Sequence, residues 1–248
     1  LGPLNQSTED EETLLLPARN DISGLKILVK VSIPKWMNPK GFEDMTIDPK
    51  TYDASYYRSS NYADYLERAD RYKKTAYEIS DLLRKLKLAE NNSCILDYGC
   101  AVGFLMDGFK EVGHWNVYGF EISEWAAKEA HARKNIVYTS LASVARLSND
   151  TGIDVMVALD VFEHMTDDQI HQALDHANPK VIVARIPVST DGGNSFHLSV
   201  SKADKTHINC KTTEQWIGLF QQYNYKTFLR LNLYTVYDTP GVTCLLIL

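Results

Sequence analysis

No stretch of this 248-residue chain stays apolar for long enough to cross a bilayer, which takes about 20 consecutive apolar residues. The nearest thing to an export signal, Leu14-Leu15-Leu16, is too short for one and runs straight into Pro17. Cysteine is scarce. Cys94, Cys100, Cys210 and Cys244 contain no Cys-x-x-Cys pair, so the spacing of a zinc ribbon or a thioredoxin motif is missing. Without an export signal the four read as reduced thiols, and the expected compartment is the cytoplasm. Basic residues are the minority charge, 26 against 32 acidic, for a formal net charge of -6. That balance disfavours nonspecific nucleic-acid binding, which leans on basic surface, and leaves only a local basic groove open. A first residue of Leu rather than Met is what a processed product or a piece of a longer chain would show.

What is present is ordinary globular material. A hydrophobic share of 44% and a charged share of 23% are enough for a full core. Residues 1 to about 22 are polar and acidic around Glu9-Asp10-Glu11-Glu12, and read as a flexible tail. Lys26 to Ile33 alternates like a short strand, stopped by Pro34. Residues 34 to 60 carry Pro34, Pro39, Gly41 and Pro49 and then a Tyr-rich stretch. The expected organisation is an N-terminal extension, 1–50, and a main domain, 51–248.

Within the main domain, Tyr62 to Leu88 places apolar residues three and four apart and predicts a helix. Strands and helices then alternate. The predicted strands are Cys94–Tyr98, Val117–Glu121, Ile136–Tyr138, Asp154–Leu159 and Val181–Ile186, with two more near Lys226–Leu233 and Val242–Leu248. Ser123 is an expected N-cap. Thr166 with Gln169, and Thr212 with Gln215, are expected capping boxes. Strands separated by helices imply βαβ units and a doubly wound, mostly parallel sheet covered on both faces. The last two strands have only the Asp238-Thr239-Pro240-Gly241 turn as an evident break between them, and so should pair antiparallel.

The most informative segment is Ile95-Leu96-Asp97-Tyr98-Gly99-Cys100-Ala101-Val102-Gly103, where a strand gives way to a helix. Glycine there permits a sharp turn and close approach of a ligand. A pyrophosphate site wants Gly-x-Gly-x-x-Gly at the helix N-terminus. Here the turn is Gly99-x-Ala101-x-Gly103, with Asp97 two residues before it. An acid would repel a pyrophosphate but suits a cation, such as the ammonium of a methionine moiety. About twenty residues further on, Glu121 ends the next strand, in Val117-Tyr118-Gly119-Phe120-Glu121-Ile122-Ser123.

These residues resemble the class I S-adenosylmethionine-dependent methyltransferase superfamily. Its first motif ends a strand with an acid and turns on Gly-x-Gly-x-Gly, and its second is the acid that holds the ribose. The resemblance covers about residues 52 to 248. It implies a Rossmann-like, seven-stranded sheet of order 3-2-1-4-5-7-6 with the last strand antiparallel. It implies a cofactor site of Asp97, Gly99, Ala101, Gly103 and Glu121, with Ile122 against adenine. The family often has an acid after the third strand; here Ser140, in Tyr138-Thr139-Ser140-Leu141-Ala142, stands in that region and is the expected partner of the adenine amino group. The product would be S-adenosylhomocysteine.

Ala158-Leu159-Asp160-Val161-Phe162-Glu163-His164-Met165 resembles the "DVLEH" segment of small-molecule members. By that resemblance Leu159 and Asp160 border the methionine end of the cofactor, and His164 lies at the mouth of the acceptor pocket. An imidazole there can take a proton from a hydroxyl or amine. A sharper resemblance, to the Glu-x-x-Glu-His…His site of metal-assisted O-methyltransferases, makes Asp160, Glu163, His164 and His207 an alternative ligand set for a divalent metal, with His197 a second choice for the last position. Without it, Glu163 and His164 are helix-start packing and capping residues.

Ser189 to Asn209 reads as a long loop over the pocket, with His197, His207 and Trp216 as further acceptor contacts. Tyr52-Asp53-Ala54-Ser55-Tyr56-Tyr57 resembles an aromatic segment that helps close the cofactor pocket in such enzymes. The Asn/Asp-Pro-Pro-Tyr/Phe motif of many amino-methylating members is absent, which lowers the case for an exocyclic amine. The expected acceptor is a small molecule or sugar. An RNA ribose hydroxyl comes second, and a catalytically inactive cofactor-binding scaffold or a nucleotide-dependent oxidoreductase are the competing classes.

Overall fold

A computed structural model describes residues 12–17, 28–33, 47–59, 64–114 and 116–248. The chain divides into two compact units, residues 1–45 and 46–248. The first contains a two-stranded antiparallel hairpin, β1 (Glu12–Pro17) with β2 (Leu28–Ile33), in which Leu14 pairs with Val31. A flexible tail is expected over residues 1 to 22, yet Glu12–Pro17 is extended and paired.

The second unit is a seven-stranded sheet flanked by helices. Its elements in chain order are α1 (Ala69–Lys85), β3 (Ile95–Tyr98), α2 (Phe104–Glu111), β4 (Val117–Phe120), α3 (Glu124–Ala132), β5 (Ile136–Tyr138), α4 (Leu141–Thr151), β6 (Val155–Leu159), α5 (Asp167–Ala177), β7 (Val181–Pro187), α6 (Ser199–Ala203), α7 (Thr213–Gln221), β8 (Phe228–Arg230) and β9 (Val242–Ile247). The strand order is β5-β4-β3-β6-β7-β9-β8. Numbered within the sheet this is 3-2-1-4-5-7-6, as the resemblance implied. The strands β3 to β7 pair in parallel, and β9 runs antiparallel to both β7 and β8.

Side chains alternate across the strands and sort the core into two layers. Ile95, Val155, Val157, Val183 and Leu246 pack with Ala76, Ile79 and Leu83 of α1, Met106 and Phe109 of α2, and Ala130 of α3. The intervening strand residues Leu96, Met156, Ile182 and Leu245 are equally buried and face the other layer.

Several boundaries differ from the sequence expectation. The helix expected over Tyr62 to Leu88 begins only at Ala69, after a separate single turn at Tyr65–Glu67. The Tyr65 ring packs among Tyr57, Tyr72 and Phe104, which turns the chain away from the helix axis. The sequence expectation has no helix between Tyr138 and Asp154, yet α4 fills it, burying Leu141, Val144 and Leu147 and capped by Ser140. The expected loop Ser189 to Asn209 contains the short helix α6. The link between β8 and β9 is longer than the four-residue turn, because isolated bridges at Asn232–Tyr237 and Thr239–Val242 fold the chain back twice. Both expected capping boxes are formed, Thr166 with Gln169 and Thr212 with Gln215, and Ser123 caps α3. Among the described residues no helix is long and apolar enough to cross a membrane.

Candidate active site

The carboxyl ends of β3, β4, β6 and β7 meet where the strand order reverses, the place at which doubly wound sheets bind ligands. Gly99 leaves β3 with φ +77°, and a Cβ there would sit 2.6 Å from Val161 Cγ2, so both backbone angle and space require glycine. Gly103 opens α2 with φ +85°. Ala101, between them, is also left-handed at φ +47°, a conformation that costs a side chain about 1–2 kcal/mol. Its N–H donates to Glu121 Oε2 at 2.8 Å, and the other oxygen of Glu121 accepts from Ser123 N at 2.7 Å. The acid after β4 is thereby fastened to the turn after β3.

Asp97 and Glu121 are both buried, at 4% and 5% exposure. Two carboxylates removed from water in one place are costly unless a proton or a cation joins them. Burial, and then the neighbouring Glu121, raise the Asp97 pKa to about 8. Burial raises Glu121 as well, opposed by the backbone N–H groups that bond it. Asp97 Oδ2 meets no hydrogen-bond donor.

The cover over these acids is aromatic. Tyr52, Tyr57 and Tyr65 cluster with Val102, Phe104 and Ala126, with Ile122 and Trp125 alongside. Burial pushes the phenols of Tyr57 and Tyr65 well above their usual range, and Glu121 adds to both. Ser123 Oγ donates to the Tyr52 carbonyl. Tyr57 belongs to the Tyr52–Tyr57 segment that the resemblance set over the cofactor pocket, whereas Tyr65 lay inside a predicted helix and was not expected in this cover.

Beyond the end of β6, Glu163, His164 and His207 converge, each offering one ligand atom within 4.8 Å of the others. His164 Nε2 and His207 Nε2 lie 3.9 and 4.0 Å from Glu163 Oε1. Glu163 is fully buried, and neither of its carboxylate oxygens meets a donor from another residue. Burial first, then Asp160, raise its pKa well above the usual range. His164 Nδ1 lies 3.1 Å from the Thr206 carbonyl and 3.4 Å from the Tyr52 hydroxyl. Burial and then His207 lower the His164 pKa to about 4.

Asp160 does not join this cluster. It follows Leu159, the last residue of β6, has φ +58°, and is held by Arg185 of β7 through Nε at 2.9 and 3.0 Å and also through Nη2. Arg185 was legible only as a strand residue, and nothing local announces its partner. His197 is exposed and bonds Thr190 Oγ1 at 2.9 Å, away from the other histidines' cluster. Trp216, expected as an acceptor contact, is fully buried against Phe162 and Phe220 and is a core residue. The Ser140 hydroxyl accepts from Ser143 N as the cap of α4.

A family model described as a methyltransferase domain matches residues 65–228. This chain belongs to the methyltransferase domain family. Its fold is that of class I, S-adenosylmethionine-dependent methyltransferases, and solved structures agree. A S-adenosylmethionine-dependent methyltransferase from Clostridium acetobutylicum superposes with a TM-score of 0.56 at 15% identity, over 78% of this chain and 98% of that one. The mitomycin 7-O-methyltransferase MmcR gives 0.56 at 14%, over 80% and 58%. Magnesium protoporphyrin IX methyltransferase from Synechocystis, with S-adenosylhomocysteine bound, gives 0.50 at 16%, over 81% and 99%. Among curated protein sequences none matches this methyltransferase.

Proposed function

We propose that this methyltransferase moves the methyl group of S-adenosylmethionine to a hydroxyl, or less readily an amine, of a small molecule or sugar, with His164 facing the acceptor. One observation carries the acceptor side. The Thr206 carbonyl can only accept, so the contact with His164 Nδ1 puts the imidazole hydrogen on Nδ1 and leaves a lone pair on Nε2. With its pKa lowered to about 4, that ring is neutral at pH 7.

The cofactor fits the residues present. Asp97, buried with an unpartnered oxygen, suits the ammonium of the methionine moiety. Glu121 offers the ribose hydroxyls the lone pairs that its backbone N–H partners leave free. Gly99, Ala101 and Gly103 admit the ligand to the backbone, and Ile122 is placed beside the aromatic cover for adenine. Leu159 and Asp160 border the methionine end, with Asp160 oriented by Arg185. Ser140 accepts from Ser143 N as the cap of α4, and when its hydroxyl donates to Ser143 Oγ, 2.9 Å away, it keeps one acceptor site for the adenine amino group. The bound cofactor supplies an activated methyl group. His164 Nε2 accepts the hydrogen bond of the incoming hydroxyl and then its proton, and alignment supplies most of the acceleration.

A second reading has its own support. The two unpartnered oxygens of Glu163, beside two imidazole nitrogens, form a donor set that suits a divalent cation. Glu163, His164 and His207 would hold it, without Asp160. When bound it would acidify an acceptor hydroxyl, including an RNA ribose hydroxyl.

The test is transfer of labelled methyl from S-adenosylmethionine to a panel of phenols, sugars and ribose oligomers, with and without a chelator. Transfer that survives chelation supports the first reading. Transfer that needs Mg²⁺ or Mn²⁺ supports the second. Binding of S-adenosylhomocysteine with no acceptor methylated at all would sink both and leave a cofactor-binding scaffold.

A further inference from the structure

Outside the active site, a groove of about 690 Å³ lies between α1 and the connection from β8 to β9. Asp70, Arg71 and Lys74 of the helix line one side, and Tyr234, Thr235 and Tyr237 the other. The tyrosine side is firmly set. Leu231 and Val236 are buried, Leu233 N donates to Val236 O at 2.9 Å, and Asn232 bridges to Tyr237. Thr235 donates to Glu78 Oε2 from both its N, at 2.8 Å, and its Oγ1, at 2.6 Å, which ties the tip to α1. Yet Tyr234 and Tyr237 stay 76% and 44% exposed. A tip fixed at its base and presenting two phenol rings is a platform, since little ordering entropy is left to lose when a ligand binds.

The other cations of α1 are engaged. Lys73 pairs with Glu111 and Lys85 with Asp81, both at 2.7 Å, and Arg84 bonds Asn91 and the Val112 carbonyl. Arg71 and Lys74 have no carboxylate partner among the described residues. Glu78, one turn along from Lys74, turns its Oε2 to Thr235, and Asp70, one turn back along the same groove, makes no ion pair with Lys74. The Lys74 ammonium rests instead 3.6 Å above the centre of the Tyr234 ring. Arg71, and Lys74 on its ring, outweigh Asp70 along this lining, so the groove favours an anion that also has a flat face.

We propose that this groove binds a planar aromatic ring bearing a phosphate, the chemistry of a nucleoside monophosphate. The ring stacks on the tyrosines, and the phosphate takes Arg71 in a forked contact with Lys74 as the second charge. Asp70 offers an acceptor to a ring N–H or sugar hydroxyl. The site does not rest on which acceptor reading holds.

The experiment is calorimetry at low salt with uridine 5′-monophosphate, in the presence of saturating S-adenosylhomocysteine so that the cofactor cleft is filled. A single site is expected, with uridine and inorganic phosphate each binding at least about tenfold more weakly, because each lacks one half of the contact. Tyr234→Ala, and separately the pair Arg71→Ala with Lys74→Ala, should each weaken binding by about fivefold or more, the loss of one stacked ring or of the phosphate charges. All three residues are exposed, and an unchanged melting temperature verifies that the variants fold. A five-residue oligouridylate binding about tenfold tighter than the monomer assigns the ring and phosphate to a strand, and equal affinity assigns them to a free nucleotide. Undetectable binding at about 5 mM, equal affinity for inorganic phosphate, or affinity unchanged in both variants overturns the proposal.

Discussion

Asp97→Asn is the substitution that most directly tests the electrostatics of the cofactor cleft. In the folded protein without ligand, burial and Glu121 raise the Asp97 carboxyl from 3.8 to about 8. At about 1.36 kcal/mol for each tenfold change, the ionised form carries a cost on the order of 5 kcal/mol. The sign of its pH dependence follows. Between about pH 4 and pH 8 the folded state holds a proton that the unfolded state has lost, so stability falls as pH rises through that window and levels off above it. Asparagine cannot ionise, so the variant without ligand should be more stable than the parent at pH 8.5 and should lose most of that slope. Ligand binding runs the other way. An ammonium seated on Asp97 needs the carboxylate, so below pH 8 the parent must release a proton to bind. Calorimetry of S-adenosylhomocysteine at pH 7, in two buffers of different ionisation enthalpy, should show close to one proton released, with affinity falling about tenfold per pH unit below 8. The variant should bind far more weakly and release none. A parent that binds with the same affinity from pH 6 to pH 9, releasing no proton, would refute the assignment of Asp97 to the cationic end of the cofactor.

Glu121→Ala should weaken S-adenosylhomocysteine by about 1.5–3 kcal/mol, the value of hydrogen bonds to a charged group, and unchanged affinity would remove Glu121 from the ribose contact. Glu163→Gln keeps the volume but not the charge; if a metal is used, Mn²⁺ binding followed by electron paramagnetic resonance should drop by tenfold or more, whereas equal binding would assign Glu163 to packing. Ala101→Gly relieves a left-handed alanine and should raise stability by about 0.5–1 kcal/mol, read as a melting temperature about 1–4 °C higher; a lower melting temperature would mean that the methyl group packs better than the backbone strains.

The strand-turn-helix around Gly99, the acid after β4 and both capping boxes were legible because each rests on residues close in sequence. A left-handed turn demands glycine or pays for its absence, and a cap needs its partner three residues on. Alternation and period gave the strands for the same reason. Local pattern failed where the deciding partner was distant. The periodicity before Ala69 ran on through Tyr65, but Tyr65 answers to Phe104 and Tyr57 rather than to the helix. Trp216 followed a helix cap and looked available, yet Phe162, more than fifty residues earlier, buries it.

Taken alone, the chain's residues determined the class of fold, the strand order implied by its family likeness, and two acids bracketing a tight bend, because backbone conformation and side-chain period are set within a few residues. Only the tertiary structure decided which charges share a low-dielectric space. Arg185 and Asp160 lie 25 positions apart, and His207 reaches Glu163 from a different loop. Whether a carboxylate there finds a cation, a proton or nothing depends on atoms that sequence spacing does not bring together, and that difference separates the unpartnered Glu163 from the ion-paired Asp160.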